Sequence, residues 1–223
     1  MPKFLKASLS LILVLIIFSS CNKQKKTFEL KLPKVYKDIT NIEAYASCQG
    51  PNGAYRTIVR SQSDASFEFR QEFTYREAPF HGIVTANDEG FIIDSLGNRE
   101  DTLSKEVVEI LRSHEFHKIH IHPEYLFSNI QYQSEEGNLR LFKSTDRLGH
   151  PVVITYDQKN KWIEKFIMKN PMDTAEQIEI RYSYAKETPF GPLARELLII
   201  QGGKDEFMFH FDSVLINDQK ITF

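Results

Sequence analysis

The chain has 223 residues, of which 41% are hydrophobic and 26% charged, with 28 basic side chains set against 30 acidic ones for a net charge of −2. No basic stripe of the kind that nucleic acid demands can be drawn from that balance. One large domain is the expectation at this length, and two would be thin.

Lys3 and Lys6 precede an almost unbroken apolar run over residues 9–18, and Ser19 and Ser20 lead into Cys21. A basic start, an apolar stretch too short to span a bilayer comfortably and a small-residue processing site predict a signal peptide over residues 1–20 rather than a transmembrane anchor. Cys21 directly after two small residues resembles the lipobox of bacterial lipoproteins. That resemblance implies cleavage before Cys21, acylation of Cys21, and attachment to a membrane through several acyl chains, which hold far better than one. Residues 21–33, which begin Cys-Asn-Lys-Gln-Lys-Lys, are then a lipidated, flexible tether, and residues 34–223 a single domain. Surface-displayed lipoproteins of some bacterial groups carry acidic residues at this place, so the basic run here points to an outer-membrane anchor with the domain facing the periplasm. Loss of Lys3 and Lys6 with the leader leaves 26 basic against 30 acidic residues, a net charge of −4. An acylated Cys21 leaves Cys48 with no disulfide partner, so apolar packing must hold the core.

Val35, Ile39, Ile42 and Tyr45 or Ala46 recur at three- and four-residue spacing, which predicts a helix over residues 34–48 ended by Gly50-Pro51-Asn52-Gly53. The period then changes to two. Over residues 66–76, Phe67, Phe69, Phe73 and Tyr75 alternate with charged and polar residues, giving a strand with one aromatic face. Short strands follow over residues 80–86 and 90–94, with a turn at Leu96-Gly97-Asn98. Leu103, Val107, Ile110, Leu111 and His114 fall on one helical face, so residues 102–116 form a second helix, with Thr102 or Ser104 as its cap. Strand signals resume over 139–144, 151–156, 162–168, 178–184, 193–201 and 206–212, and Phe207, Phe209 and Phe211 share one side of the last. Roughly nine to eleven strands joined by short hairpins predict an antiparallel sheet. A sheet that long must curl, close or split. With only two helices to cover an aromatic face, the expected fold is mainly β within the α+β class: a curved antiparallel sheet forming an unclosed half-barrel, helices over its concave side and an apolar space beneath them.

The segment IEIRYSYAKETPFGPLARELLIIQGGKDEFMFHFDSVLINDQKITF, residues 178–223, resembles the closing part of the LolA/LolB-like group of bacterial envelope proteins. Tyr182, Tyr184, Pro192, Val214, Ile216 and Asn217 occupy its pattern of aromatic-x-aromatic, proline turn, long hairpin and V-x-I-N. STDRLGHPVVITYDQKNKWIEKF, residues 144–166, is similar to the strand, glycine turn, strand and hairpin order of the same group. The resemblance covers residues 35–223 in arrangement. It implies an unclosed barrel with a helical lid and a cavity that takes acyl chains, and Cys21 makes the chain resemble the anchored receptor more than the soluble carrier.

Four of the seven histidines, His114, His117, His120 and His122, lie in SHEFHKIHIHPEYLF, residues 113–127. HEFH is one residue short of the H-E-x-x-H zinc motif, which needs its histidines four apart. His114, His117 and His120 are therefore weak metal candidates, and the stretch reads better as a helix end and connector with its histidines on the polar side of the lid and Ile110, Leu111, Phe116, Ile119 and Ile121 facing the sheet. There is no G-x-S-x-G elbow, and the Gly202-Gly203 turn is followed by no helix that could hold a phosphate. No catalytic residues and no cofactor are expected. The aromatic stripes carry the expected function: Phe67, Phe69, Phe73, Tyr75, Tyr156, Tyr182, Tyr184, Phe207, Phe209 and Phe211 are the candidate lining of an apolar cavity for an acyl chain or lipid. The protein expected is a monomeric, membrane-anchored lipoprotein that binds such a ligand, or a lipoprotein partner carrying one. A lipoprotein with a filled core that serves structure or interaction, and a histidine-based metal binder, are the alternatives.

Overall fold

The computed structural model describes residues 28–75 and 78–223. The leader, Cys21 and the tether up to residue 27 lie outside the described residues, as does Arg76 of the first aromatic strand.

One antiparallel sheet organises the domain. Its first arm is a meander of β1 (Ile42–Gly50), β2 (Gly53–Ser61), β3 (Phe67–Phe73), β4 (Phe80–Val84), β5 (Gly90–Ile93) and β6 (Arg99–Thr102). Two helices follow, α1 (Lys105–Ser113) and α2 (Phe116–Ile121), then a single 3-10 turn, Pro123–Tyr125. The second arm is β7 (Ser128–Glu136), β8 (Leu139–Thr145), β9 (Pro151–Asp157), β10 (Trp162–Asn170), β11 (Asp173–Thr188), β12 (Gly191–Gln201) and β13 (Asp205–Ile216), and β14 (Gln219–Thr222) turns back along β13. The spatial order is β6-β5-β4-β3-β2-β1-β13-β12-β11-β10-β9-β8-β7. The arms join at a seam between β1 and β13, paired from Ile42 opposite Ile216 to Gln49 opposite Met208 with a register shift between Tyr45 and Ala46.

This order dictates where the helices go. β6 and β7 are the free edges of the sheet, yet they are neighbours in sequence apart from the helical segment. The segment must cross from one edge to the other, and the sheet's curvature puts that crossing over the concave side. The result is the unclosed half-barrel with helices over its concave face that the strand pattern predicts.

Three expectations are corrected. The helix expected over residues 34–48 is a five-residue 3-10 turn, Lys34–Asp38, followed by β1. In β1 the buried side chains Ile42, Ala44, Ala46 and Cys48 have a period of two, but two small alanines on the inner face left the helical reading intact. Pairing on both sides, with β2 and β13, decides for strand. The strand count rises from the expected nine to eleven to fourteen in this sheet, because β2, β6, β7 and β14 carry weak alternation. Residues 28–33, placed in the tether by sequence, are packed: the Phe28 ring meets Tyr132 edge-on at 4.7 Å and lies 3.8 Å beneath the Arg140 guanidinium, and the Tyr156 hydroxyl donates to the Lys31 carbonyl.

α1 begins at Ser104, whose hydroxyl accepts the Val107 N–H, and docks on β4 and β5 where glycines let it approach. A Cβ added at Gly90 would stand 2.5 Å from Val108 Cγ2, so only glycine fits there without displacing the helix. Charge fastens the helices as well. Arg112, 1% exposed, donates to the Thr85 carbonyl and to Asp88 in the β4–β5 turn, to Glu115 between the helices, and to the Tyr125 hydroxyl. Arg147, from the β8–β9 turn, pairs with the same Asp88 and lies 3.8 Å from Glu109 of α1. Asp88 and Arg147 belong to opposite arms, so this ion pair spans the open side of the half-barrel over the lid. Burial pushes the Glu109 and Glu115 carboxyls above the usual carboxylate range, against the neighbouring arginines and Lys118 that pull them down.

Candidate functional site

The concave side is filled under α2 and open beside α1. Under α2, Phe116, Ile119 and Ile121 are each 1% exposed and pack with Phe211, Phe166 and Leu193 of the second arm. Phe116 lies 5.0 Å from Phe209, and the Tyr182 hydroxyl donates to the Phe116 carbonyl at 2.9 Å.

His117 and His120 belong to this filled region, which corrects their expected place on the polar side, while His114 borders the cavity described below. His117 and His120 are 3% and 0% exposed. His117 Nε2 donates to the Ala194 carbonyl of β12 at 3.0 Å, His120 Nε2 to the Ile163 carbonyl of β10 at 2.9 Å, and His114 Nδ1 to the Ile110 carbonyl one turn back at 2.8 Å. Three imidazoles thus serve three different carbonyls, and among the described residues no group of three or more His, Cys, Asp or Glu side chains converges as a metal site would require. Burial drives all three toward the neutral form, His114 and His117 to about 4 and His120 to about 3.

Beside α1 the packing stops. A cavity of about 300 Å³ lies between the C-terminal end of α1, the β1–β2 turn, the end of β3, the β10–β11 turn and the facing ends of β11, β12 and β13. That volume is at the lower end of the roughly 300–1,000 Å³ of small-molecule sites. Ile178, Ile180, Ile199, Phe209, Tyr55 and Phe73 make its apolar wall, with Tyr55 and Phe209 edge-on at 6.0 Å. Pro51, Tyr75 and Met172 form an exposed rim, the last two 45% and 60% exposed.

The aromatic candidates divide between these regions. Phe73, Tyr75, Phe207 and Phe209 line the cavity. Phe67, Phe69, Tyr182 and Phe211 are buried in the packed core, and Tyr156 is buried near the chain's N-terminal segment. Tyr184 is 72% exposed: it takes φ +51° and drops out of the pairing between Ser183 and Ala185, so the alternation that would turn it inward ends there. Sequence reasoning missed a polar set at the same end. Asn52 from the β1–β2 turn and Gln71, Asn170 and Gln201 from three strand ends line the cavity. Glu176, set back from the cavity, accepts from both Asn170 Nδ2 at 3.1 Å and Gln201 Nε2 at 3.3 Å. Amides at strand ends look like ordinary turn residues until the register brings them together.

No protein-family model matches the chain, and no curated protein matches it. Solved structures do resemble it in fold. A domain described as an outer membrane lipoprotein-sorting protein from Vibrio parahaemolyticus is similar over 80% of this chain and 86% of its own, with a TM-score of 0.58 and 8% identity. A LolA superfamily protein from Nitrosomonas europaea is similar over 83% and 88%, with a TM-score of 0.55 and 12% identity. A DUF1329 family protein from Desulfovibrio piger ATCC 29098 is similar over 82% and 88%, with a TM-score of 0.57 and 8% identity. The chain has a LolA-like fold.

Proposed function

We propose that this LolA-like chain is a membrane-anchored envelope lipoprotein that holds an acyl chain, from a lipid or from a lipoprotein, in the cavity beside α1. The observation that carries this reading is the cavity itself: an aliphatic and aromatic pocket of about 300 Å³, open at its rim, in a domain whose other half is packed solid. The energetics suit a slender apolar guest. Each methylene removed from water contributes about 0.8 kcal/mol, so ten of them supply about 8 kcal/mol, enough for micromolar binding before ordering costs are subtracted. The fold supports the same reading, since one of the structures it resembles is described as a lipoprotein-sorting domain. In this reading Cys21 carries the anchor, the outer membrane is the site of attachment, the domain faces the periplasm, and the monomer acts in binding rather than catalysis without a cofactor.

The test is mass spectrometry of what co-purifies with residues 22–223, together with uptake of fluorescent acyl probes by the stripped protein. A bound acyl compound, or saturable uptake that a substitution in the cavity wall abolishes, is the expected result. A protein that carries no lipid and takes up no probe is instead the filled-core interaction lipoprotein. Metabolic labelling with a palmitate analogue, in the full chain and in Cys21→Ser, reads the anchor separately.

A further inference from the structure

Charge is missing from the cavity in a way the rest of the chain does not prepare for. Asp, Glu, Lys and Arg make up 26% of the sequence, yet none is among the described residues that line it. The polar lining is four amides, Ser113 and His114. His114 cannot serve as a cation at neutral pH: its Nδ1–H is spent on the Ile110 carbonyl, and burial holds the ring neutral down to about pH 4.

A carboxylate or phosphate brought here would lose its water and find no basic side chain among these residues to pair with, an arrangement that costs several kcal/mol. The hydrogen bonds around the wall add a direction. Glu176 takes the N–H groups of Gln201 and Asn170, and the Asn170 carbonyl oxygen already accepts from the Met172 N–H at 3.0 Å. Gln201 Oε1 is then left to accept, as is His114 Nε2, which carries no proton in this tautomer. Both want a donor.

Resting on the acyl-binding reading above, we infer that the cavity selects acyl compounds whose head group is uncharged and forms hydrogen bonds, a hydroxyl or an amide, and rejects free fatty acids and anionic phospholipids. The shared chemistry covers a monoacylglycerol and an N-acyl amide alike, and Glu176 is the positioning residue that orients the Gln201 amide.

Binding of four probes with the same fluorescent chain tests it at pH 7.5: a monoacylglycerol, an N-acyl ethanolamine, the fatty acid and a lysophosphatidic acid. The two neutral probes should bind at least tenfold tighter than the two anionic ones, and either neutral probe binding alone would name its source. Gln201→Lys places a cation at the wall and should bring fatty-acid affinity up to that of the monoacylglycerol, with circular dichroism and melting temperature reporting that the variant is folded. If Gln201→Lys does not fold, Gln71→Lys makes the same test from β3. Equal or tighter binding of the anionic probes to the unaltered protein overturns the head-group inference and leaves the acyl site standing. Binding of none of the four overturns both.

Discussion

The two halves of the concave side are built from the same material and end differently. Along β13, Phe211 points into solid core and Phe207 lines an open cavity, and along β11 Tyr182 is packed while Ile178 and Ile180 line the cavity. What separates them is the reach of the helices. α2 lies in the trough and fills it on all sides, so that even its histidines are buried, whereas α1 ends at Ser113 and leaves the strand ends beyond it uncovered. An aromatic stripe is therefore neither core nor binding site by itself, and the length of the element lying over it decides.

The sharpest test of that division pairs two phenylalanines. Phe116→Ala removes a side chain 1% exposed from the filled half and should cost about 3–5 kcal/mol in urea denaturation, while Phe207→Ala, beside an existing void, should cost about 1 kcal/mol or less. Similar losses at both positions would erase the distinction between the halves. A comparable loss, also about 3–5 kcal/mol, is expected for Arg112→Ala, because Glu115 at 0% exposure then keeps a buried carboxyl with Lys118 as its one remaining paired cation among the described residues. Restoring charge with Lys should recover only part of it, since one ammonium cannot replace a fork that reaches Thr85, Asp88, Glu115 and Tyr125.

The buried histidines make the filled half sensitive to acid. In the unfolded chain they titrate near 6.5, and in the folded one near 4 or below, so between those values the unfolded state binds more protons. Their contribution is complete above about pH 6.5 and is lost as pH falls toward 4, by up to ~3 kcal/mol for His117. Glu109 and Glu115, whose carboxyls are pushed up, work in the opposite sense, because the folded state takes up their protons first on acidification. His117→Gln keeps a donor for the Ala194 carbonyl and should flatten the loss of stability between pH 7 and 5, whereas an unchanged slope would remove His117 as its source. The smallest effect on stability belongs to the cavity. Ile178→Phe fills empty space and should alter stability by about 1 kcal/mol or less, yet abolish uptake of an acyl probe.

Much of this was legible in the residues. The strict period-two aromatic runs at Phe67–Phe73 and through Phe207, Phe209 and Phe211 are strands, and the amphipathic pattern ending at Ser113 is the lid helix. What escaped has physical causes. Ala44 and Ala46 are too small to advertise the buried face of β1, and β7 is an edge strand exposed along most of its length, with little alternation to read. The burial of His117 and His120 is not legible because a short helix sunk in a curved sheet has no polar side. The amide ring around the cavity depends on register, which places Asn170, Gln201 and Gln71 at one end although they come from β10, β12 and β3.

The seam between β1 and β13 also sets a timetable. Each arm is a run of hairpins between sequence neighbours, and such local pairings form early and fast. β1 and β13 are joined across nearly the whole domain, Ile42 to Ile216, so the half-barrel has no continuous wall until its last residues are available. Until then the first arm carries Ala44, Ala46 and Cys48 along an unpaired border, an open edge of the kind that invites the wrong partner. Truncation of the C-terminal strands is therefore expected to leave not a smaller domain but an aggregating chain.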